Sequence, residues 1–209
     1  MYRLNDEQQR IAATAAAVAE RELAPRAADV DRDAAFPRDS IAALGASGLL
    51  GLTVPKAHGG LGQGPRTAAA VIDAVAQRCP STAMVYLMHL CGIACYAAAP
   101  DKTAPLLEAA AAGRHLSTLA FSEKGSRSHF WAPVSRASGS GNGAVSISAQ
   151  KSFVTSAGHA DGYVVVDTVG RRDAAARELD LPRPQRRRGR GSVGSVARTG
   201  SRAATPARR

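Results

Sequence analysis

The stretch STAMVYLMHLCGIACYAAA, residues 81–99, is the most apolar part of the chain and decides how the rest is interpreted. Its 19 residues would be long enough to cross a bilayer. However, it contains His89, begins with the polar Ser81 and Thr82, and is rich in alanine. We therefore predict a helix that is buried on all sides within a soluble helical bundle, and we predict no membrane association.

The segments on either side of this stretch, up to residue 115, also predict helices. Asn5 can cap a first long helix, and Pro25 predicts a kink within it. Further helices are predicted after Phe36-Pro37, over about 65–78, and from Pro100 or Asp101 to Gly113. The glycines of residues 59–64 predict a turn, because this loop lacks the Lys-Ser/Thr that a phosphate-binding loop requires. Residues 1–115 are thus expected to form an all-α domain.

The hydrophobic pattern changes after residue 115. Five short segments rich in Val, Ser and Thr predict strands: LSTLAFS, APVSRAS, AVSISA, KSFVTS and GYVVVDT. Helices followed by strands predict an α+β fold, in which a helical bundle precedes a partial antiparallel β domain over residues 116–167.

The positive charge of the chain is concentrated at one end. The formal net charge is +10, but residues 1–169 hold 15 basic and 14 acidic residues, whereas 170–209 hold 12 arginines and 3 acidic residues. Residues 168–209 have no aromatic and few large aliphatic side chains, so they predict a disordered basic tail. Their composition resembles a GC-rich gene read out of frame, and we hypothesise a frameshift just after Tyr163–Val166.

Cysteine and histidine usage indicates the compartment and argues against a metal site. Three cysteines, Cys79, Cys91 and Cys95, cannot form a paired disulfide framework, and the N-terminus has no signal-peptide pattern. A reducing cytoplasm is therefore predicted. The five histidines do not have the spacing of metal ligands, so no metal site is predicted.

Four segments, taken in order, carry a family resemblance. They are VPKAHGGLGQG (54–64), CPSTAMVYLMH (79–89), AAAAGRHLSTLAFSEKGSRS (109–128) and SAQKSFVTSAGHADGYVVV (148–166). The set resembles the acyl-CoA dehydrogenase family over about residues 1–166. The third segment departs from the usual Thr-Glu-Pro-Gly-x-Gly-Ser-Asp: it has Ser122-Glu123, Lys124 for Pro, Arg127 for Gly and His129 for Asp. This departure predicts a divergent subfamily.

The resemblance implies an FAD cofactor and a set of residues that contact it. By motif position, Phe121 and Ser122 would meet the pyrimidine side of the flavin ring, and Ser128 would contact FAD or the acyl thioester. Phe153 would lie against the ring, and Thr155 would hydrogen-bond near its N5 edge. The alternatives are that Ser122, Ser128 and Thr155 are ordinary exposed strand hydroxyls and that Phe153 is a core residue.

The resemblance also implies a reaction, the α,β-oxidation of an acyl-CoA thioester, with an electron-transfer flavoprotein or another acceptor as partner. The family's catalytic base lies in a C-terminal helical domain that this sequence does not contain, so we assign no catalytic residue, and Glu123 is not assigned as the base. We interpret the chain as an inactive fragment. The family forms homo-oligomers through those C-terminal helices, so the resemblance does not predict an assembly for this chain.

Two other functions remain open at this point. One is a flavin-dependent monooxygenase that shares the architecture. The other is a non-enzymatic helical module whose basic arm binds nucleic acid. Because the Arg-rich tail has no aromatic residue to stack on bases, nucleic acid is the less favoured partner.

Overall fold

The computed structural model describes residues 3–126, 132–139 and 145–169, together with the backbone of Ser192–Val193. Its helices are α1 (Asp6–Val18), α2 (Ala24–Arg32), α3 (Arg38–Ala46), α4 (Pro65–Ala76), α5 (Pro80–Ala97) and α6 (Pro100–Ala111). Its strands are β1 (Ser117–Ala120), β2 (Arg136–Gly139), β3 (Val145–Ser148), β4 (Gly162–Val169) and β5 (Ser192–Val193). The predicted fold class, a helical bundle followed by a small sheet, is confirmed.

The start of the chain folds as its capping residues predict. The Asn5 side chain accepts a hydrogen bond from the Gln8 N–H at 2.9 Å, and the Gln8 side chain accepts one from the Asn5 N–H at 3.1 Å. This reciprocal pair satisfies two of the free N–H groups of the first turn. The kink predicted at Pro25 takes the form of a π-helical segment, Ala19–Leu23, after which Pro25 lies in the first turn of α2. The helix continues through this point, since the Ala24 N–H donates to the Ala19 carbonyl, and the wider π turn lies where Pro25 has no N–H to donate.

Helix α5 is the centre of the bundle. It packs against α4, α6 and β1, and nine of its residues are buried, among them Tyr86, Ile93 and Tyr96. The Tyr86 hydroxyl donates to the Leu49 carbonyl at 2.7 Å, so its one polar atom is satisfied inside the core. No helix in the described parts of the chain is long and apolar enough to cross a membrane.

The prediction that α5 is buried on all sides is wrong for one face. Met84 is 52% exposed, and the residues that follow it at helical spacing are only half-buried: Leu87, Met88, Cys91 and Cys95. We call these five residues the α5 stripe. Residue type alone did not distinguish it from the core-facing side, because both sides of the helix are apolar.

The sheet is mixed, whereas an antiparallel one was predicted. Its order is β1-β4-β2-β3, with β1–β4 and β2–β4 parallel and only β2–β3 antiparallel among these four strands. Strand β4 takes a central place, with Val164 and Val166 buried. Parallel neighbours require long crossover connections, and the segment between β1 and β4 is long enough to provide them. Alternation within a strand does not encode its direction.

Two predicted strand boundaries also differ. KSFVTS (151–156) is not a strand: after an isolated bridge between Lys151 and Glu123, the chain turns. Phe153 (φ 53°) and Ser156 (φ 64°) leave the extended region of backbone space, which ends any strand there. APVSRAS becomes a strand only from Arg136 onward.

The predicted boundary of the tail lies inside a strand, because β4 continues to Val169. Within the predicted tail, Ser192–Val193 pairs antiparallel with Val166 and Asp167 of β4. Residues 170–191 and 194–209 lie outside the described residues. They make up most of the segment that was predicted to be a disordered basic tail.

Candidate functional site

The C-terminal end of β1 runs beside the segment that follows β3. Phe121 and Ser122 are half-buried at the end of β1, and the Ser152 N–H donates to the Ser122 carbonyl at 2.9 Å. The next residue, Glu123, forms a backbone bridge with Lys151. The predicted contact residues Phe121, Ser122 and Phe153 therefore lie on two adjoining segments.

Phe153 is the most exposed large hydrophobic side chain among the described residues. It is 96% exposed, and its backbone φ of 53° lies in the left-handed region. Both features are unfavourable for a phenylalanine, because the ring gains nothing from burial and a bulky residue is strained at positive φ. A residue held in this way points to a ligand or partner that covers it. The alternative that Phe153 belongs to the core is wrong.

Thr155 is held against β1 through its backbone. The hydroxyl of Thr118, a buried residue of β1, donates to the Thr155 carbonyl at 2.6 Å. Thr155 as a whole is half-buried and lies two residues after Phe153. Phe121, Ser122, Phe153 and Thr155 are the residues with described positions that the family resemblance predicts to contact a flavin, and we use the name flavin wall for this predicted set.

The loop that carries Phe153 is also fastened to the helical domain. The His159 ring stacks on Phe36 with centroids 4.1 Å apart and planes 7° from parallel, and Arg38 donates to His159 Nδ1 at 3.2 Å. A groove of about 360 Å³ separates this loop from the N-terminal end of α5, where Ser81 and Val85 line it. The loop is thus positioned by both domains.

A buried ion pair joins the segment that carries Ser122 to the segment that carries Phe153. The Glu123 side chain is 2% exposed and the Lys151 side chain 11%, and the Lys151 ammonium donates to Glu123 Oε1. Glu123 Oε2 also accepts from the N–H groups of Val134 at 2.6 Å and Ser135 at 2.9 Å, and Oε1 accepts from the Ser135 hydroxyl. Burial alone would raise the pKa of Glu123, but these donors outweigh it and lower the pKa to about 2.

Ser128, the remaining predicted contact residue, lies outside the described residues. Sequence reasoning did not identify the supporting residues Thr118 and Lys151. Lys151 could have been found, because an isolated lysine in a stretch of small and apolar residues indicates a charge that needs a buried partner.

The remaining reactive side chains suggest no second centre. Within the described ranges, no group of three or more His, Cys, Asp or Glu side chains could hold a metal ion. Burial raises the pKa of both the Cys91 and the Cys95 thiol, which disfavours the reactive thiolate. The glycine loop serves turns and packing: Gly59 and Gly62 have positive φ, and a Cβ at Gly60 would lie 2.2 Å from the Val54 carbonyl oxygen.

Comparison with known proteins assigns the family. Residues 5–113 match the family described as acyl-CoA dehydrogenase, N-terminal domain, which is more than half of the chain. The chain therefore belongs to the acyl-CoA dehydrogenase family, as its four sequence segments predicted.

Two curated relatives illustrate the similarity. The chain is 39% identical over 92 residues to the probable acyl-CoA dehydrogenase fadE25 of Mycobacterium leprae (strain TN), covering 44% of this chain and 24% of that protein. It is 33% identical over 171 residues to the cyclohex-1-ene-1-carbonyl-CoA dehydrogenase of Geobacter metallireducens, covering 79% of this chain and 44% of that protein. The chain thus spans less than half the length of either relative.

Solved structures share the fold. KijD3, whose X-ray structure is a complex with FMN and a dTDP-linked keto sugar, superposes with a TM-score of 0.70 at 25% identity. The match covers 80% of this chain and 42% of KijD3. This architecture therefore occurs in a protein that holds a flavin.

Proposed function

We propose that this chain supplies the flavin-contacting half of an FAD-dependent acyl-CoA dehydrogenase, with Phe121, Ser122, Phe153 and Thr155 as the residues that meet the cofactor. The observation that carries the proposal is Phe153, an aromatic ring that is 96% exposed on a backbone at φ 53°. A flat isoalloxazine ring would cover this side chain and offset the cost of holding it in water.

The residues around Phe153 fit the chemistry of a flavin. An isoalloxazine site needs an apolar surface with a few hydroxyl or N–H donors placed at its polar edges. Phe153 would supply the surface, and the hydroxyls of Ser122 and Thr155, both half-buried residues, would supply donors. When bound, the cofactor supplies the electron-accepting chemistry. The role of these side chains would be to orient the ring and exclude water from it.

The substrate we propose is an acyl-CoA whose hydrocarbon chain lies along the α5 stripe. Met84, Leu87 and Met88 offer flexible apolar side chains that adapt to a hydrocarbon. Ser81, which lies one turn before Met84 on the same face of α5, lines the same groove as Val154 of the loop that carries Phe153. The stripe therefore begins beside the flavin wall, as a substrate that must reach the cofactor requires. The electron acceptor in this proposal is an electron-transfer flavoprotein or a comparable carrier.

Titration of the purified 209-residue chain with FAD tests the proposal. We expect quenching of FAD fluorescence and a perturbed visible spectrum on binding. Phe153→Ala should weaken binding by roughly tenfold, because loss of one stacking surface removes about 1–3 kcal/mol. Phe153→Trp, which keeps a flat aromatic ring, serves as the matched control and should retain binding.

Two results would redirect the proposal. Equal FAD affinity of Phe153→Ala and the parent chain would remove Phe153 from the flavin wall. A chain that binds FMN but not FAD would favour the alternative of an FMN-using relative of the same architecture, such as a flavin-dependent monooxygenase.

A further inference from the structure

The flavin wall is built from two segments of the chain, and Glu123 lies on one of them and Lys151 on the other. Glu123 follows Ser122 directly, and Lys151 precedes Phe153 by two residues. Their backbones form an isolated antiparallel bridge, and their side chains meet beneath it as a buried pair. One contact therefore sets the register between the segment with Ser122 and the segment with Phe153.

The same pair reaches two further strands. Glu123 receives the N–H groups of Val134 and Ser135, which lead into β2. The Lys151 ammonium donates a second hydrogen bond to the Val166 carbonyl in the middle of β4. The described polar contacts of the two side chains thus link four parts of the chain at one place: the segment after β1, the segment before β2, the segment after β3, and β4.

The energetics favour a specific role over general stabilisation. Removing two charges from water costs several kcal/mol per ion, on the order of what their mutual attraction returns, so a buried pair adds little net stability over apolar residues of similar size. A pair that contributes little to stability but fixes geometry at one point in the fold acts as a register device. Its place, one residue after Ser122 and two residues before Phe153, identifies the geometry it fixes.

We propose that the Glu123–Lys151 pair is a positioning device that holds the two segments of the flavin wall in register, so that Ser122 and Phe153 can act on one cofactor. This inference rests on the proposed flavin-binding function. Neither residue touches the cofactor in this proposal; both act through their neighbours in sequence.

Three variants of the full chain separate positioning from folding. Glu123→Gln and Lys151→Met each remove one charge, and the double variant Glu123→Gln/Lys151→Met removes both and so leaves no unpaired buried charge. Glu20→Gln is the matched control, because it breaks the Arg78–Glu20 pair, which is exposed and lies in the helical domain. Circular dichroism establishes that each variant is folded at the temperature of measurement.

Two readouts are measured on each folded variant: FAD affinity by fluorescence titration, and backbone hydrogen exchange resolved by segment. We expect the double variant to lose at least roughly tenfold in FAD affinity, because misplacing a contact by about 1 Å carries penalties of that size. We expect faster exchange of the amides of 134–135 and 151–155, while protection of the amides of α5 stays unchanged. Glu20→Gln should alter neither readout.

The outcomes are distinct. A folded double variant with parental FAD affinity overturns the inference and leaves the proposed function standing. A parent chain that binds no FAD overturns the proposed function. In that case the hydrogen-exchange measurement still decides whether the pair positions the two segments. Faster exchange at 151–155 in the double variant supports the positioning role, and unchanged exchange overturns it.

Discussion

His89 accepts a hydrogen bond at Nδ1 from the backbone N–H of Ser117, 3.1 Å away, and this bond joins helix α5 to strand β1. On the other side of the ring, Nε2 lies 2.8 Å from the Leu50 carbonyl, which can only accept, so Nε2 carries the proton. Because Nδ1 accepts from the Ser117 N–H, the ring must be the neutral imidazole. Burial, with a smaller contribution from His115 and against the opposing effect of the Leu50 carbonyl, lowers the pKa of His89 to about 4.

Acidification should destabilise the protein through His89. Above pH 6.5 this side chain is neutral in both the folded and the unfolded chain. It therefore adds no pH dependence to the free energy of unfolding in that range. As the pH falls from 6.5 towards 4, the unfolded chain binds the proton first, so the free energy of unfolding decreases by roughly 3 kcal/mol. Urea unfolding at a series of pH values between 7 and 4.5 measures this slope.

The slope should flatten in His89→Gln, because a carboxamide does not titrate in this range. A parental slope in His89→Gln would mean that another group controls the acid response. Glu123 does not interfere, because its pKa near 2 affects stability only below its ordinary value of 4.5.

Gly92→Ala should destabilise the contact between α5 and β1. A Cβ at this helical position would lie 2.0 Å from Ser117 Oγ and 2.8 Å from Ser117 Cβ. In an open helix the same change stabilises by about 0.5–1 kcal/mol, whereas here we expect a loss of about 1–3 kcal/mol from overpacking. Thermal or chemical unfolding gives the difference. Adding Ser117→Gly, which removes both colliding atoms, should recover part of the loss, and no recovery would place the strain elsewhere.

Phe153→Gly should leave the stability of the free protein unchanged or raise it by up to about 1 kcal/mol. Glycine relieves the strain of φ 53°, which costs a residue with a Cβ about 1–2 kcal/mol, although the unfolded chain gains entropy in return. No burial is lost, because the ring is 96% exposed. Chemical unfolding without flavin measures the change. A loss well above 1 kcal/mol would show that the ring is packed against protein in solution.

Met84→Asp should weaken the binding of an acyl-CoA without unfolding the chain. Met84 is 52% exposed, so a polar side chain is tolerated there, but a carboxylate on the α5 stripe opposes contact with a hydrocarbon chain. Isothermal titration with octanoyl-CoA and with CoA separates binding of the hydrocarbon chain from binding of the CoA part. We expect weaker binding of octanoyl-CoA and unchanged binding of CoA. Equal losses for both ligands would contradict a hydrocarbon contact at this residue.

Much of the helical domain could be predicted from sequence because its signals are local. Asn5 with Gln8 starts α1, and Pro80 and Pro100 lie in the first turns of α5 and α6. Gly113 follows α6 at a φ of 72°, a conformation that favours glycine. Each of these features depends on a few neighbouring residues, so the pattern of the chain is sufficient to place them.

The candidate site was only partly predictable. The motif positions identified Phe121, Ser122, Phe153 and Thr155, but the pattern around Phe153 predicted a strand, whereas the chain turns there with positive φ. The direction of β4 relative to β1 and β2 was also predicted wrongly. The pairing of strands depends on which distant segments bury the most surface together. The sequence of a single strand does not contain that information.

The sequence by itself determined the family, the order of helices before strands and the identity of the residues proposed to meet a flavin. Only the tertiary structure decided that Phe153 lies in solvent, that one stripe of α5 is uncovered, and that Glu123 meets Lys151 beneath Ser122 and Phe153. The physical reason is the range of the interactions. Caps, turns and periodicity act within a few residues, whereas exposure and the pairing of buried charges depend on which distant segments the fold brings together.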